Sequence, residues 1–401
     1  MINKINKRIS LNNLIISSLL CLNLSWTNPQ TISESGINYD PHVSSNDSHS
    51  IVVWTSGSYP DLKTHYSIHD GVGWSEANAI DNTGTQVAPV SGIDSSGNVI
   101  AVWESISDKE RSIVLALKPL KSSWQESVII STSLSNTSVS LSVNAYGEAI
   151  VGWIDKENDV IQVVYLSFDG SFSPVNTIST SGGNKMNLCS GIDGYGNSIV
   201  AWEEFDNGNI FMSQTAGGFN SSWSTPASLT FFGKNSTPTI SLNAAGNAII
   251  SWINVEVYEV MASIFENNVW GNSLTISDNY GNLQTVMTLD NNYFVSWKDM
   301  ETGDYMAARN NFNIWESPVN LSKADLNGST GSYAFFTAWT DTSNGKVKIA
   351  EYPSTGDPLS PVEIESENFN ISPKITYSPI KTTSVWESVS EGDHIIQVSI
   401  N

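Results

Sequence analysis

The stretch Asp193-Gly-Tyr-Gly-Asn-Ser-Ile-Val-Ala-Trp-Glu-Glu204 decides the fold. It reads as a tight turn, a short apolar run ending on Trp202, and then carboxylates. Near copies are Asp94-Ser-Ser-Gly-Asn-Val-Ile-Ala-Val-Trp-Glu104, Asn144-Ala-Tyr-Gly-Glu-Ala-Ile-Val-Gly-Trp153 and Asn243-Ala-Ala-Gly-Asn-Ala-Ile-Ile-Ser-Trp252. Asp or Asn at the first position and Gly at the fourth are the residues a type I turn prefers. The run that follows is apolar without alternation, as in a strand covered on both faces. A unit copied this often speaks of architecture before chemistry.

Tryptophan carries the period along the chain, as Trp54, Trp103, Trp153, Trp202, Trp252, Trp297, Trp339 and Trp386. The steps are 49, 50, 49, 50, 45, 42 and 47 residues. Propeller blades repeat at roughly 40–50 residues, whereas an immunoglobulin-type module needs about 100. Each unit divides into four strand-sized pieces. In the fifth they are residues 237–242, 248–252, 259–265 and 274–277. An aromatic or Leu lies 18 to 21 residues after each of the first seven Trp residues and announces the fourth piece: Trp74, Trp124, Phe172, Trp223, Trp270, Trp315 and Leu359.

The unit around Trp386 runs out of chain after three strands, while Trp26-Thr-Asn-Pro-Gln-Thr-Ile-Ser33 reads as a fourth strand with no unit before it. Pairing the two leaves no orphan edge. The prediction is an all-β, eight-bladed β-propeller of four-stranded antiparallel blades, closed by an N-terminal strand and occupying residues 26–401 as one domain. The turn motif is strict only in units two to five, so seven blades plus an irregular segment is the alternative.

Residues 1–25 read differently. Lys4, Lys7 and Arg8 precede the apolar run Leu14 to Leu24. That is the layout of a secretory signal peptide, and the run is shorter than the roughly 20 residues of a membrane helix. Export to the periplasm, cell surface or medium is expected, with an uncleaved anchor as the alternative. Cleavage would leave Cys189 alone, without an internal disulfide, in a strand where a core role is expected. It would also move the formal net charge from −22 to −25. Such a charge disfavours nucleic acid and anionic membrane surfaces as partners.

The chain resembles the secreted β-propellers of bacteria whose blades carry a D-x-x-G-N-a-x-a-x-W signature, and it is similar in blade pattern to sialidase-like and lectin propellers. It lacks the sialidase Asp-box, because Gly196 is followed by Asn197 and a long apolar strand. The resemblance implies a fold and a compartment. Lectin propellers often repeat one aromatic-plus-polar site per blade, which makes the Trp set a candidate sugar platform beside its simpler role as packing between blades.

Catalytic signatures are sparse. A sialidase clamps its substrate carboxylate with three arginines, but Arg111 and Arg309 are alone in the mature chain and fall about four blades apart. A two-carboxylate glycosidase stays open, since 40 acids guarantee some suitable pair. His42, His49, His65 and His69 cluster in unit one and are expected at the surface. His65 and His69 would share a strand face about 13 Å apart, too far for one ion, so neither metal nor cofactor is expected. Asp94, Asn144, Asp193 and Asn243 lack the alternating oxygens of a calcium loop and should cap their own turns.

The connection after each second-strand Trp is acidic and carries 19 of the 40 acids. All these loops emerge on one face of a propeller. Glu104, Asp155, Glu203, Asp299, Asp341 and Glu387 are therefore the candidate ligand-binding residues, a ring of free carboxylates for a cationic protein or glycan. The expected function is a monomeric, non-catalytic binding module. A carbohydrate-active enzyme of glycosidase type and a structural envelope protein are the alternatives.

Overall fold

The computed structural model describes residues 26–401 apart from 109, 132, 168, 220, 278–280, 290–291, 312–313, 324–333, 354–356, 367 and 379. The signal-like segment thus lies outside the described residues. All regular structure among them is β, in eight antiparallel sheets that form an eight-bladed propeller. Eight blades, not seven, are present.

Blade four shows the plan. Lys185–Ile192 is innermost, Ser198–Glu204 second, Asn209–Thr215 third, and the two-residue strand Ala227–Ser228 outermost. Blade five adds Leu274–Ser277 on the same third strand that pairs with Val269–Trp270. Blade seven shows three strands, Ala334–Thr340, Val347–Pro353 and Val362–Ile364. Residues 324–333, which precede them, lie outside the described residues.

Blade eight closes the ring as expected. Its first three strands, Phe369–Tyr377, Thr382–Ser390 and Asp393–Ile400, are completed by Gln30–Thr31, which pairs with Val398 and Gln397. Thr27 N and Ile32 N donate to Ile400 O and Ile396 O. Innermost strands of successive blades pack on one another from blade one to blade six, and the first strand of blade eight returns to that of blade one.

The second-strand Trp residues sit in the wedges between blades. Trp153 packs with Ile100, Val102 and Ile113 of blade two, and Trp202 with Ile150, Ile161 and Val163 of blade three. All eight are buried. The outer-edge tryptophans are half-buried and Phe172 is exposed: Trp124 meets Tyr66 of blade one edge-on at 5.3 Å, and Trp270 donates to Gln214 of blade four.

A second repeat escaped the sequence reading. Asn38, Asn136, Asn235 and Asn370 stand 16 or 17 residues before Trp54, Trp153, Trp252 and Trp386 and are buried. Each amide nitrogen donates to a main-chain carbonyl of the preceding blade: His394, Arg111, Gly208 and Gly345. Asn38 and Asn235 also accept from their own Trp Nε1, at 3.0 and 2.9 Å.

Just after these positions most innermost strands carry a β-bulge whose non-glycine residue has φ near +50°. Asp40, Ala88, Ser138, Asn187, Thr237 and Ser372 occupy it. Pro41, Pro89, Pro238 and Pro373 follow four of them, where the ladder has no use for a donor.

Candidate functional site

One face of the ring carries the turns between first and second strands. Asp193 is buried there and caps its turn: Oδ1 accepts from Tyr195 N and Asn197 N at 2.8 Å, and Oδ2 from Asn197 Nδ2 at 2.7 Å. Asp94, Asn144 and Asn243 take the same role. Gly246 holds φ +91° at the fourth position, which only glycine adopts without strain. The Asn of the G-N pair reaches sideways: Asn98 and Asn197 accept from Leu120 N and Gly217 N, tying this turn to the loop between third and outer strands. Neighbouring turns are bonded too, through Asn46 to Asp94 O, Asn144 to Asp193 O, and Gly194 N to Ala244 O.

Clefts open between blades on this face. The one between blades four and five has a volume of about 340 Å³. Its walls include Tyr195, Ile199, Gln214, Phe265, Asn267 and Asn268. Tyr195 is 75% exposed. The cleft between blades two and three, about 250 Å³, is lined by Ile100, Leu117, Lys118, Gln125, Leu166 and Asp169.

Strand register makes the two clefts equivalent. Gln214 lies opposite Ile199, and Leu117 lies opposite Ile100. In blade three the same position, opposite Ile150, is Tyr165. Tyr165 is buried and meets Phe219 edge-on at 5.8 Å. A Cβ on Gly196 would lie 2.5 Å from its Oη. The phenol occupies the space that is open in the neighbouring clefts, and burial, with Glu148 nearby, pushes its pKa well up.

The six candidate acids lie toward the opposite face, and their environment corrects the expectation of free charge. Five are buried and Asp341 is half-buried. They occupy two alternating positions rather than one, because successive strand residues point to opposite sides. Glu104 and Glu203, next to their Trp, reach the following blade and accept from the amide of its bulge residue, Ser138 at 2.7 Å and Thr237 at 3.1 Å. Glu203 also accepts from Asn187 Nδ2 and Ser236 Oγ. Glu104 pairs with Arg111 at 3.1 Å, yet burial outweighs this and raises its pKa. Glu387 bonds His394.

Asp155, Asp299 and Asp341, two residues after their Trp, cap the next turn by accepting from Glu157 N and Asn158 N, from Glu301 N and Thr302 N, and from Ser343 N. Lys348 holds Asp341 down to about 2. The exposed carboxylates stand farther out, at the turn tips: Asp61, Asp108, Glu110, Glu157, Asp206, Glu256, Glu301, Glu391 and Asp393.

Arg111 and Arg309 sit in blades two and six, paired with Glu104 and Glu316. The histidines are half-buried rather than superficial: His65 stacks on Trp54 at 6.1 Å, and burial lowers His42 to about 4. Among the described residues no three His, Cys, Asp or Glu converge on a point that could hold a metal. Burial pushes the Cys189 thiol up to about 12.

No known protein family and no curated protein matches the chain. Solved structures do. The Dos1 propeller aligns with a TM-score of 0.56 at 10% identity, covering 93% of this chain and 95% of that one. The polysaccharide lyase Uly1 aligns with a TM-score of 0.47 at 8% identity over 92% and 90%, and a fucose-specific lectin from Aleuria aurantia with 0.40 at 10% over 73% and 97%. At these identities the likeness is one of fold, and the Dos1 alignment supports a propeller over nearly the whole chain.

Proposed function

We propose that the chain is an exported, non-catalytic glycan-binding propeller whose sugar sites are the clefts between blades on the face of the Asp and Asn turns. The cleft between blades four and five carries the reading. A sugar offers hydroxyls that both donate and accept, together with an apolar C–H face. The cleft offers the complement: the amides of Gln214, Asn267 and Asn268, and the rings of Tyr195 and Phe265. Among the described residues lining it the one carboxylate is Asp193, whose oxygens already accept three bonds inside the turn. A two-carboxylate hydrolysis needs both groups free to trade protons or attack, so binding is favoured over turnover.

The test is a glycan array probed with wild type and Tyr195→Ala, followed by mass spectrometry of any retained glycan after incubation. Retention of neutral glycans by wild type, loss with Tyr195→Ala and unchanged glycan mass are expected. No retention, or retention indifferent to Tyr195, overturns the reading. A shortened or unsaturated glycan moves it to the carbohydrate-active enzyme.

A further inference from the structure

The face opposite the clefts carries an apolar patch at the seam between blades four and five. The connector from Thr230 to Asn235 runs between the second-to-third-strand turns of both blades. Asn235 N donates to Gly208 O on one side, and Val255 N to Lys234 O on the other. Phe231 and Phe232 of the connector are left to water. The flanking turns carry further exposed apolar residues: Phe205 in blade four, whose amide bonds the preceding connector at Asn184, and Val257 with Tyr258 in blade five. Phe231 and Phe232 are 76% and 89% exposed. Below them opens a cleft of about 460 Å³, whose lining includes Leu229, Met261 and Trp270. Scattered exposed apolar residues are ordinary, but two adjacent phenylalanines this exposed at the mouth of an open cleft mark a contact surface.

Charge selects the occupant. Asp206 adjoins Phe205, Glu256 adjoins Val257, and both are exposed. Lys234 is the exposed cation on the connector. The turn tips around the same face add Asp108, Glu110, Glu157, Glu301, Glu391 and Asp393. With a chain charge of −22, a second copy would bring the same repulsive face, and anionic lipid would be repelled as well. We infer that this patch docks a cationic protein segment that seats an apolar side chain in the cleft between Phe231, Phe232, Met261 and Trp270 while its basic residues meet the rim of Asp206 and Glu256. Met and Phe side chains adapt to the shape of such an anchor. The protein would then hold a glycan on one face and a basic partner on the other.

The probe is a short fluorescein-labelled peptide of alternating lysine and leucine, read by anisotropy, with glutamate–leucine and lysine–serine peptides as controls. Wild type should bind only the lysine–leucine peptide. Phe231→Ser with Phe232→Ser, both exposed and outside the core, should weaken it at least about tenfold, the size of one lost anchor. Asp206→Asn with Glu256→Gln should weaken it less and flatten its salt dependence. Tyr195→Ala, on the other face, should change nothing, which separates this site from the glycan clefts. Unchanged binding in the double Phe variant overturns the inference, as does equal binding of either control peptide. A wild-type dimer that the Phe substitutions disperse, or Phe-dependent flotation on phosphatidylcholine vesicles, would assign the patch to a second copy or a membrane and overturn it too.

Discussion

The two faces of the ring treat the same chemical group in opposite ways. On the cleft face the turn acids Asp94 and Asp193 sit at the first turn position and are buried as caps. On the opposite face carboxylates divide by their distance from the Trp. Those one or two residues beyond it are drawn into the ring, and those at the turn tips stay in water. Charge on this protein is therefore first a structural adhesive between and within blades, and only the outermost layer is free to act on a partner. Depth along the strand, not residue type, sets which role a carboxylate plays.

The hardest test of that division is Glu203→Ala. It leaves Asn187, Ser236 and the Thr237 amide without their acceptor. A loss of roughly 3–5 kcal/mol is expected from breaking such a buried charged network, read by denaturant unfolding. Asp206→Ala, three residues on and exposed, should stay within about 0.5 kcal/mol. Equal effects would erase the distinction between the two layers.

Lys381, in the cleft-face turn of blade eight, sharpens the comparison with opposite sign. It is buried, and among the described residues its Nζ has no hydrogen-bond partner. Burial lowers its pKa to about 8, below the 10.5 of the free side chain, with Asp47 opposing weakly. The charged amine is thus a penalty that is full below about pH 8 and fades as pH rises toward 10.5. Lys381→Met should stabilise the protein at pH 7 by roughly 1–3 kcal/mol, and the advantage over wild type should shrink between pH 8 and 10. Thermal melts across that range check it.

Tyr165→Leu has a smaller expected effect on stability, within about 1–2 kcal/mol. It places in blade three the residue that blade two carries at Leu117, and so opens a third cleft beside Gly196 and Gly218. If the clefts hold glycan, titration calorimetry should show one site more than wild type. An unchanged stoichiometry would mean that side-chain volume at this position does not decide which clefts are open.

The smallest expected effect concerns His42 in the innermost strand of blade one. It accepts from Ser91 N of blade two, and its pKa of about 4 lies below the unfolded 6.5. The unfolded chain binds the extra proton between those values, so stability should fall as pH drops from 6.5 toward 4. His42→Gln should reduce that part of the acid sensitivity by roughly one to a few °C in Tm.

Most of the architecture was legible because it repeats locally. The turn, the apolar run and the Trp lie within a dozen residues, and their period counted the blades. The missing fourth strand after Trp386 and the orphan one at Trp26 to Ser33 foretold the closure. The buried Asn repeat was legible too, since Asn38, Asn136, Asn235 and Asn370 all stand 16 or 17 residues before their Trp. It went unread because blade two puts Gln86 and blade four Lys185 at that place. The bulges left a signal only where Pro follows.

By itself the sequence determined everything that depends on near neighbours along the chain: strand and turn periodicity, blade number and where the ring closes. Only the tertiary structure decided which groups meet across a seam. Glu203 and Thr237 are 34 residues apart, Gln214 and Trp270 are 56 apart, and Tyr165 and Gly196 are 31 apart. Whether a carboxylate is free, whether a cleft is open and whether Phe231 and Phe232 stay in water depend on packing between blades, and the one-blade pattern of residues contains no term for that.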